Sequence, residues 1–179
     1  MPTIGFLNGE NTFLRKLSME DATDKYLGWL NDPAVLRYRT SKAYASNMED
    51  IRDFIKCAQV SKDLFLAICL KSTNRHIGGI SLAPIDFIHR AAALNIMIGE
   101  KSEWGKNYGK EAIAALSKHA FMNMNLNKLW AQSANPAFNA VVKKLGWVHE
   151  GTKRKMFLLD GEYIDVECYG ILKSEFNSL

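Results

Sequence analysis

Two glycines and two lysines follow an apolar segment near the middle of this 179-residue chain, in a pattern that could hold a phosphate group. Gly105 and Gly109 let the backbone approach an anion closely, and Lys106 and Lys110 add positive charge beside them. A helix is expected to begin here. The first N–H groups of a helix lack internal partners and lie at the positive end of its dipole. The pattern therefore predicts a seat for a phosphate-bearing ligand.

Spacing excludes two widespread phosphate-binding loops. A Walker A loop has five steps between its glycines and a Ser or Thr after its Lys. Here Gly105 and Gly109 are four residues apart, and Glu111 follows Lys110. The Gly-x-Gly-x-x-Gly fingerprint of dinucleotide-binding folds is also absent. What remains is a plain strand–turn–helix connection or a different phosphate loop.

Hydrophobic spacing predicts the elements that must position this loop. Before it, the pattern predicts a strand at 11–17, a helix from the N-cap Ser18 to Asn31-Asp32-Pro33, a second helix capped by Asn47, and strands at 63–70, 76–85 and 91–99. After it come a long helix, a strand at 128–133, a short helix starting at Pro136, and two strands around the hairpin signal Asp160-Gly161. The length suits a single domain spanning 1–179.

Composition limits the classes of partner. The 23 basic and 19 acidic side chains give a net charge of +4, with no Lys/Arg-rich run and no basic–aromatic interleaving, so no nucleic-acid partner is expected. Cys57, Cys69 and Cys168 lack paired or zinc-binding spacing, so we expect reduced thiols and no metal. Neither a signal-peptide pattern nor a membrane-length apolar run is present. These features favour a cytoplasmic protein that does not contact a membrane.

The loop resembles the pyrophosphate loop of the GNAT superfamily of acetyl-CoA-dependent N-acetyltransferases, Gln/Arg-x-x-Gly-x-Gly/Ala. Trp104, Asn107 and Gly109 stand at its three conserved positions. The form Trp-Gly-Lys-x-Tyr-Gly-x-Glu-Ala is typical of the branch that acetylates ribosomal-protein N-termini, polyamines and amino sugars. Asn107 replaces the usual Gly. Because Asn tolerates positive φ better than most residues, we expect the loop conformation to be kept.

The resemblance covers roughly 11–176. Asn135 begins a segment that ends at Leu145-Gly146-Trp147, and Glu150-Gly151 follows, as is usual in this branch. The resemblance implies an α/β (α+β) GNAT fold, with a mixed, mostly antiparallel sheet of seven strands, about four flanking helices and central strands that splay apart. The gap between these strands is expected to hold the pantetheine arm of acetyl-CoA, the co-substrate.

The resemblance also implies a set of cofactor contacts. Backbone groups of the strand before the loop would bind the arm like an added strand, and an N–H of Met97 or Ile98 would stabilise the thioester oxyanion. Asn135 matches the family Asn that contacts the arm, although Asn before Pro is also a common helix cap. The expected cofactor-binding residues are Ile96, Met97, Ile98, Trp104, Gly105, Lys106, Asn107, Tyr108, Gly109, Lys110, Asn135, Asn139 and Lys143.

The implied mechanism is direct attack of a neutral amine on acetyl-CoA in a ternary complex. Many relatives supply an acid from a Tyr seven residues after the Asn or a Ser three residues after it. Those positions hold Val142 and Phe138, which cannot donate a proton. His89, before the cofactor strand, and Glu150, near the expected cleft, are candidate bases, with structural roles as the alternative. No nucleophile elbow supports covalent catalysis.

The acceptor site is predicted from Trp29, Asn31 and Asp32, which resemble the segment that walls this site in members acting on sugar-linked amines. Core packing at a helix end is the alternative. The expected acceptor is a primary amine on a small molecule, such as a nucleotide-linked amino sugar, or a protein N-terminus. Polyamines are less favoured because the expected cleft is not rich in acids. A non-catalytic CoA-binding module is the alternative function. The sequence leaves the acceptor and the oligomeric state, including a homodimer, open.

Overall fold

The computed structural model describes residues 5–176, which contain eight strands in one sheet. The strands are β1 (Leu7–Asn8), β2 (Thr12–Lys16), β3 (Leu64–Leu70), β4 (His76–Asp86), β5 (Ala91–Ile98), β6 (Lys128–Ser133), β7 (Val148–Leu159) and β8 (Glu162–Leu172). Their spatial order is β1-β2-β3-β4-β5-β6-β8-β7. Neighbours are antiparallel except β5 and β6, which run parallel.

Helices cover both faces of this sheet. They are α1 (Asp24–Leu30), α2 (Pro33–Leu36), α3 (Met48–Val60), α4 (Tyr108–Met122) and α5 (Pro136–Lys144). Alternate residues of each strand point to opposite faces. Leu66, Ile80 and Leu94 therefore pack in the main core with α4 and α5, whereas Phe65 and Met97 face α1 and α3. Within 5–176, none of the helices is both long and apolar enough to cross a membrane.

The sequence-based map is confirmed from β3 onward and is wrong in part near the N-terminus. The helix expected from Ser18 begins at Asp24 instead, because Ser18 caps a 3₁₀ turn, Met19–Asp21, and Thr23 caps α1. The sheet has eight strands rather than seven, since Leu7–Asn8 pairs with β2. A one-turn helix after Asp32 adds α2 to the expected four.

The central strands splay apart as expected. β5 and β6 pair only where Ala91, Ala92 and Ala93 face Lys128, Leu129 and Trp130. β5 then continues to Ile98 and β6 to Ser133 without pairing with each other. A stretch of β5 is therefore paired with β4 on one edge and open on the other. We call this opening the gap.

Candidate functional site

The loop between β5 and α4 adopts a conformation that only a few residue types tolerate. Gly105 has a φ of 77° and Asn107 a φ of 65°, both in the left-handed region. Asn107 therefore adopts the positive φ that the sequence analysis expected an Asn to tolerate at this position. Asn107 is also the N-cap of α4, but its side chain makes no capping hydrogen bond. The first N–H groups of α4 consequently remain open to a ligand.

The two lysines of the loop have different surroundings. Lys106 forms an ion pair with Glu103 at 2.8 Å, and Arg75 contacts the same carboxylate at 2.9 Å. Glu103 is only 8% exposed, so its ion pairs with Lys106 and Arg75 anchor the loop to the body of the protein. Lys110 makes no ion pair with any residue of the described part of the chain. Lys110 rather than Lys106 therefore offers an unneutralised charge beside the first turn of α4.

Gly109 brings this first turn against the open end of β5. A Cβ atom added at Gly109 would lie 3.7 Å from Ile96 Cδ1 and 3.8 Å from Ile98 Cγ1, which is ordinary contact. The anion-binding end of α4 and the gap are thus adjacent parts of one surface.

The open edge of β5 exposes the backbone of alternate residues. Gly99 N–H donates to the Ile77 carbonyl of the β4 side at 2.9 Å. Because partners alternate along an antiparallel pair, Met97 also bonds towards β4, whereas Ile96 and Ile98 face the gap. Their carbonyls accept hydrogen bonds from Arg39 Nη1 at 3.2 Å and Trp104 Nε1 at 2.8 Å. Of the two N–H groups considered for the oxyanion, that of Ile98 is directed into the gap. The N–H of Met97 is directed towards β4 instead.

Helix α5 places an unsatisfied polar atom in its first two turns. Asn135 caps the helix by accepting from the Ala137 N–H at 3.0 Å. Asn139 donates through Nδ2 to the Ser133 carbonyl at 3.4 Å, but its buried Oδ1 has no hydrogen-bond partner among residues 5–176. A buried acceptor left unpaired costs free energy, so a donor from a bound ligand would be favoured there. Lys143, one turn on, instead lies 5.7 Å from the Tyr169 ring centre.

Neither candidate base lies at the gap. His89 is exposed in the β4–β5 turn, seven residues before Ile96. β5 begins at Ala91, five residues before Ile96, so at about 3.3 Å per strand residue roughly 16 Å of strand separates Ile96 from the turn that holds His89. Glu150 contacts Lys128 Nζ at 2.6 Å, where β5 and β6 are still paired. Neither side chain therefore lies at the open end of β5, and the assignment of either one as the base stays a prediction that these positions do not support.

The predicted acceptor segment has structural partners. Trp29 is 6% exposed and packs against Tyr26, His76 and Gly99. Asn31 exchanges hydrogen bonds with the backbone of Ser46. Asp32 caps α2 and forms an ion pair with Lys101. These contacts match the alternative of core packing and loop anchoring, and the assignment of the three residues to the acceptor site stays a prediction without structural support.

A cavity on the opposite face of the sheet from α4 was not predicted. Its volume is about 240 Å³, and it lies beside the open end of β5. Side chains from α1, the segment after α2, α3 and three strands meet there, including Tyr26, Arg39, Phe54, Phe65, Ser81 and Met97. These residues are far apart in sequence and share no periodic pattern, so no local signal could have identified them.

A buried charged cluster supports this face. Asp21 is 3% exposed and receives Arg15 Nη1 at 2.7 Å and Nη2 at 2.6 Å. His76 Nδ1 lies 3.3 Å from the same carboxylate, and the His76 ring packs on Trp29. Burial by itself raises the pKa of Asp21, but hydrogen bonds from Arg15, His76 and Ser18 outweigh it and hold that pKa well below its usual range. No group of three His, Cys, Asp or Glu side chains within 5–176 is arranged to hold a metal ion.

Comparison with known proteins gives a consistent assignment. Residues 11–148 match the family model described as an acetyltransferase (GNAT) domain. The chain is 29% identical over 176 residues to an uncharacterized N-acetyltransferase of Bacillus licheniformis, covering 93% of this chain and 96% of the relative. It is 31% identical over 102 residues to a spermidine N(1)-acetyltransferase of Vibrio cholerae, covering 56% and 58%.

Solved structures share the fold. The Vibrio cholerae spermidine N-acetyltransferase in complex with CoA and spermine has a TM-score of 0.83 at 24% identity, over 92% of this chain and 97% of that one. The RimL ribosomal L7/L12 alpha-N-protein acetyltransferase in complex with coenzyme A has a TM-score of 0.79 at 21% identity, over 91% and 94%.

Proposed function

Because the chain belongs to the GNAT acetyltransferase family, we propose that it transfers an acetyl group from acetyl-CoA to a primary amine of a small molecule or a peptide N-terminus. The observation that carries the proposal is the adjacency of two sets of backbone N–H groups that make no hydrogen bond to the described part of the chain. The uncapped first turn of α4 lies against the open edge of β5 through Gly109. One surface suits an anion, and the other suits an extended amide-bearing chain.

The residues present fit acetyl-CoA. The N–H groups of Tyr108 to Lys110, with the Lys110 charge, would hold the pyrophosphate. The N–H of Ile96, which faces the gap, would donate to an amide carbonyl of the pantetheine arm in the manner of an added strand. The buried Oδ1 of Asn139 would accept an N–H from the same arm.

Acetyl-CoA supplies a thioester whose carbonyl carbon accepts the nitrogen of a neutral amine. The N–C bond forms, the C–S bond breaks, the CoA thiolate leaves, and the amine proton is released. The Ile98 N–H would stabilise the negative charge that develops on the carbonyl oxygen. Val142 is fully buried and Phe138 packs against the core, so neither of these positions on α5 supplies a proton to the thiolate.

The acceptor is proposed from the cavity on the α3 face. The sequence relative and the solved structure from Vibrio cholerae are both named spermidine acetyltransferases, and another solved structure is named for a ribosomal protein. A polycation would favour a cavity lined by carboxylates, yet no acidic residue lines this one. The nucleotide-linked amino sugar loses its support, because Trp29, Asn31 and Asp32 have structural partners. A compact primary amine is therefore favoured over both.

Two measurements test the proposal. Calorimetry should detect acetyl-CoA binding, and a thiol-release assay should detect turnover with at least one amine from a panel of amino acids, amino sugars, spermidine and short peptides. Binding without turnover on any amine would support the non-catalytic CoA-binding module instead. Absence of binding would refute both functions.

A further inference from the structure

Arg39 is a partly buried cation without an acidic partner. Its Nη1 donates to the Ile96 carbonyl at 3.2 Å, and no carboxylate within the described residues pairs with its guanidinium. Burial lowers the pKa of Arg39, an effect that the nearby Tyr26 hydroxyl offsets only in part. Burial likewise raises the pKa of Tyr26. The positive charge of Arg39 is thus poorly compensated by the protein itself.

Two other arginines, the partly buried Arg15 and the exposed Arg75, do have carboxylate partners. Arg15 makes a two-pronged contact with Asp21, and Arg75 contacts Glu103. Since a buried charge is costly unless it is paired, an arginine left without a carboxylate at the wall of a cavity indicates a partner that arrives with a ligand. A guanidinium matches carboxylate and phosphate groups through paired N–H donors.

The cavity around Arg39 limits the size and character of that ligand. Its volume of about 240 Å³ is below the range of roughly 300–1,000 Å³ typical of sites for drug-sized ligands. Phe54 and Phe65 form an apolar wall, with ring centres 5.5 Å apart, and Ser81 adds a hydroxyl. A compact ligand with one anionic end and some apolar surface fits this lining.

We infer that Arg39 selects acceptor amines that carry a carboxylate or phosphate group close to the reacting nitrogen. The inference rests on the proposed function, because it concerns the acceptor of that reaction. Arg39 lies within hydrogen-bond distance of a carbonyl that faces the gap, where the thioester is proposed to lie. An anion held by the guanidinium therefore places an amine one or two bonds further on beside the thioester. An α-amino acid and an aminoalkyl phosphate both have this arrangement.

The test compares pairs of amines that differ only in the anionic group. The carboxylate arm uses phenylalanine and phenylalaninamide, and the phosphate arm uses O-phosphoethanolamine and ethanolamine, with spermidine as the polycation. Each is assayed by thiol release with wild-type protein and with Arg39→Gln and Arg39→Lys. Arg37→Gln is the matched control, because Arg37 is exposed and pairs with Asp160. Calorimetry with acetyl-CoA and thermal unfolding verify that each variant is folded.

The expected result is a preference of at least tenfold in kcat/KM for the anionic member of one pair. That arm identifies the group recognised. Arg39→Gln should lower kcat/KM for the anionic member at least tenfold more than for the neutral member, and Arg39→Lys should retain part of the preference. Arg37→Gln should keep it. Comparing wild type with variant on the same pair cancels the effect of a nearby anion on the pKa of the amine itself.

Three outcomes would overturn the inference. One is turnover without a charge preference, or with spermidine best, which leaves the proposed function standing. Another is an equal loss on both members of each pair in Arg39→Gln, which would mean that Arg39 only supports the strand. The third is no thiol release with any amine, in which case the proposed function and this inference fall together.

Discussion

The two faces of the sheet build their sites from different material. On the α4 face, the candidate cofactor site consists mostly of main-chain groups from one continuous stretch, 96–110. On the α3 face, the candidate acceptor cavity consists of side chains from α1, α3, β3, β4, β5 and the segment after α2. A site made of backbone groups depends on local conformation, so adjacent residues in the sequence are enough to predict it. A side-chain site depends on which distant elements pack together.

The largest expected effect concerns the support of the α3 face. Asp21→Ala should lower the free energy of unfolding by about 3–5 kcal/mol, because it leaves Arg15 partly buried without its partner. Urea unfolding measures this, with the exposed Glu20→Ala as the control. If the two faces are independent, the folded variant binds acetyl-CoA as the wild type does. A matching loss of acetyl-CoA affinity would show that the faces are coupled.

The same cluster predicts a pH dependence. The pKa of Asp21 lies below its unfolded value, so its stabilising contribution is fully present above about pH 4 and is lost as the pH falls towards the folded pKa. Wild-type stability should therefore decline below about pH 4. The decline should be shallower in Asp21→Ala, as measured by unfolding at several pH values.

The next prediction concerns a substitution that affects only the candidate cofactor site on the α4 face. Gly109→Glu should weaken acetyl-CoA binding at least a hundredfold, worth about 2.7 kcal/mol, because the side chain adds bulk and negative charge where the pyrophosphate is proposed to bind. Gly109→Ala is the matched control, since a Cβ there makes only ordinary contacts. Calorimetry on both folded variants measures the difference. Wild-type affinity in Gly109→Glu would remove this turn from the site.

A smaller effect is expected where α4 is tied to the N-terminal strands. Glu111 accepts hydrogen bonds from Asn11 N–H at 2.9 Å and from Thr12 N–H at 3.1 Å. Burial raises the pKa of Glu111, but the hydrogen bonds from Asn11 and Thr12 lower it by more. The pKa of Glu111 is therefore below its usual value. Glu111→Gln should cost about 1–2 kcal/mol in unfolding free energy, because an amide donor would face these donors. Glu10→Gln, an exposed change in the same turn, should cost almost nothing.

The smallest effect is expected for His89, which is near the cofactor strand in sequence but far from its open end in space. His89→Ala should change kcat/KM less than twofold on any amine that turns over, because His89 lies in the β4–β5 turn and roughly 16 Å of strand separates that turn from Ile96. A loss of tenfold or more with wild-type stability would return His89 to the site.

Particular residues show why one face was predictable from the sequence. Gly105 and Asn107 both adopt positive φ, so the residue types at these two positions indicated the turn before α4. The paired strands and the Asp160-Gly161 turn follow from period-two patterning and turn chemistry, and Asp160 and Gly161 both have positive φ. These features depend on neighbours in the chain, which a sequence displays directly.

Other residues show why the acceptor face was not predictable. From the sequence alone, the Trp29 side chain could line a cleft or lie in the core. Only the packing of Trp29 against His76 and Gly99 shows that it lies in the core. Arg39 stands in a segment without periodicity. What distinguishes it is the lack of a carboxylate among the described residues around it, which depends on the tertiary arrangement.

The hydrogen bonds that the Glu111 carboxylate accepts from Asn11 and Thr12 also have a consequence for biosynthesis. Residues that the ribosome makes early receive their partner about 100 residues later. At translation rates of 5–20 residues per second, the donors of the β1–β2 turn wait roughly 5–20 s for that carboxylate. The first strands of the nascent chain therefore cannot complete their native bonding during that interval. Their final docking follows the emergence of α4 from the exit tunnel.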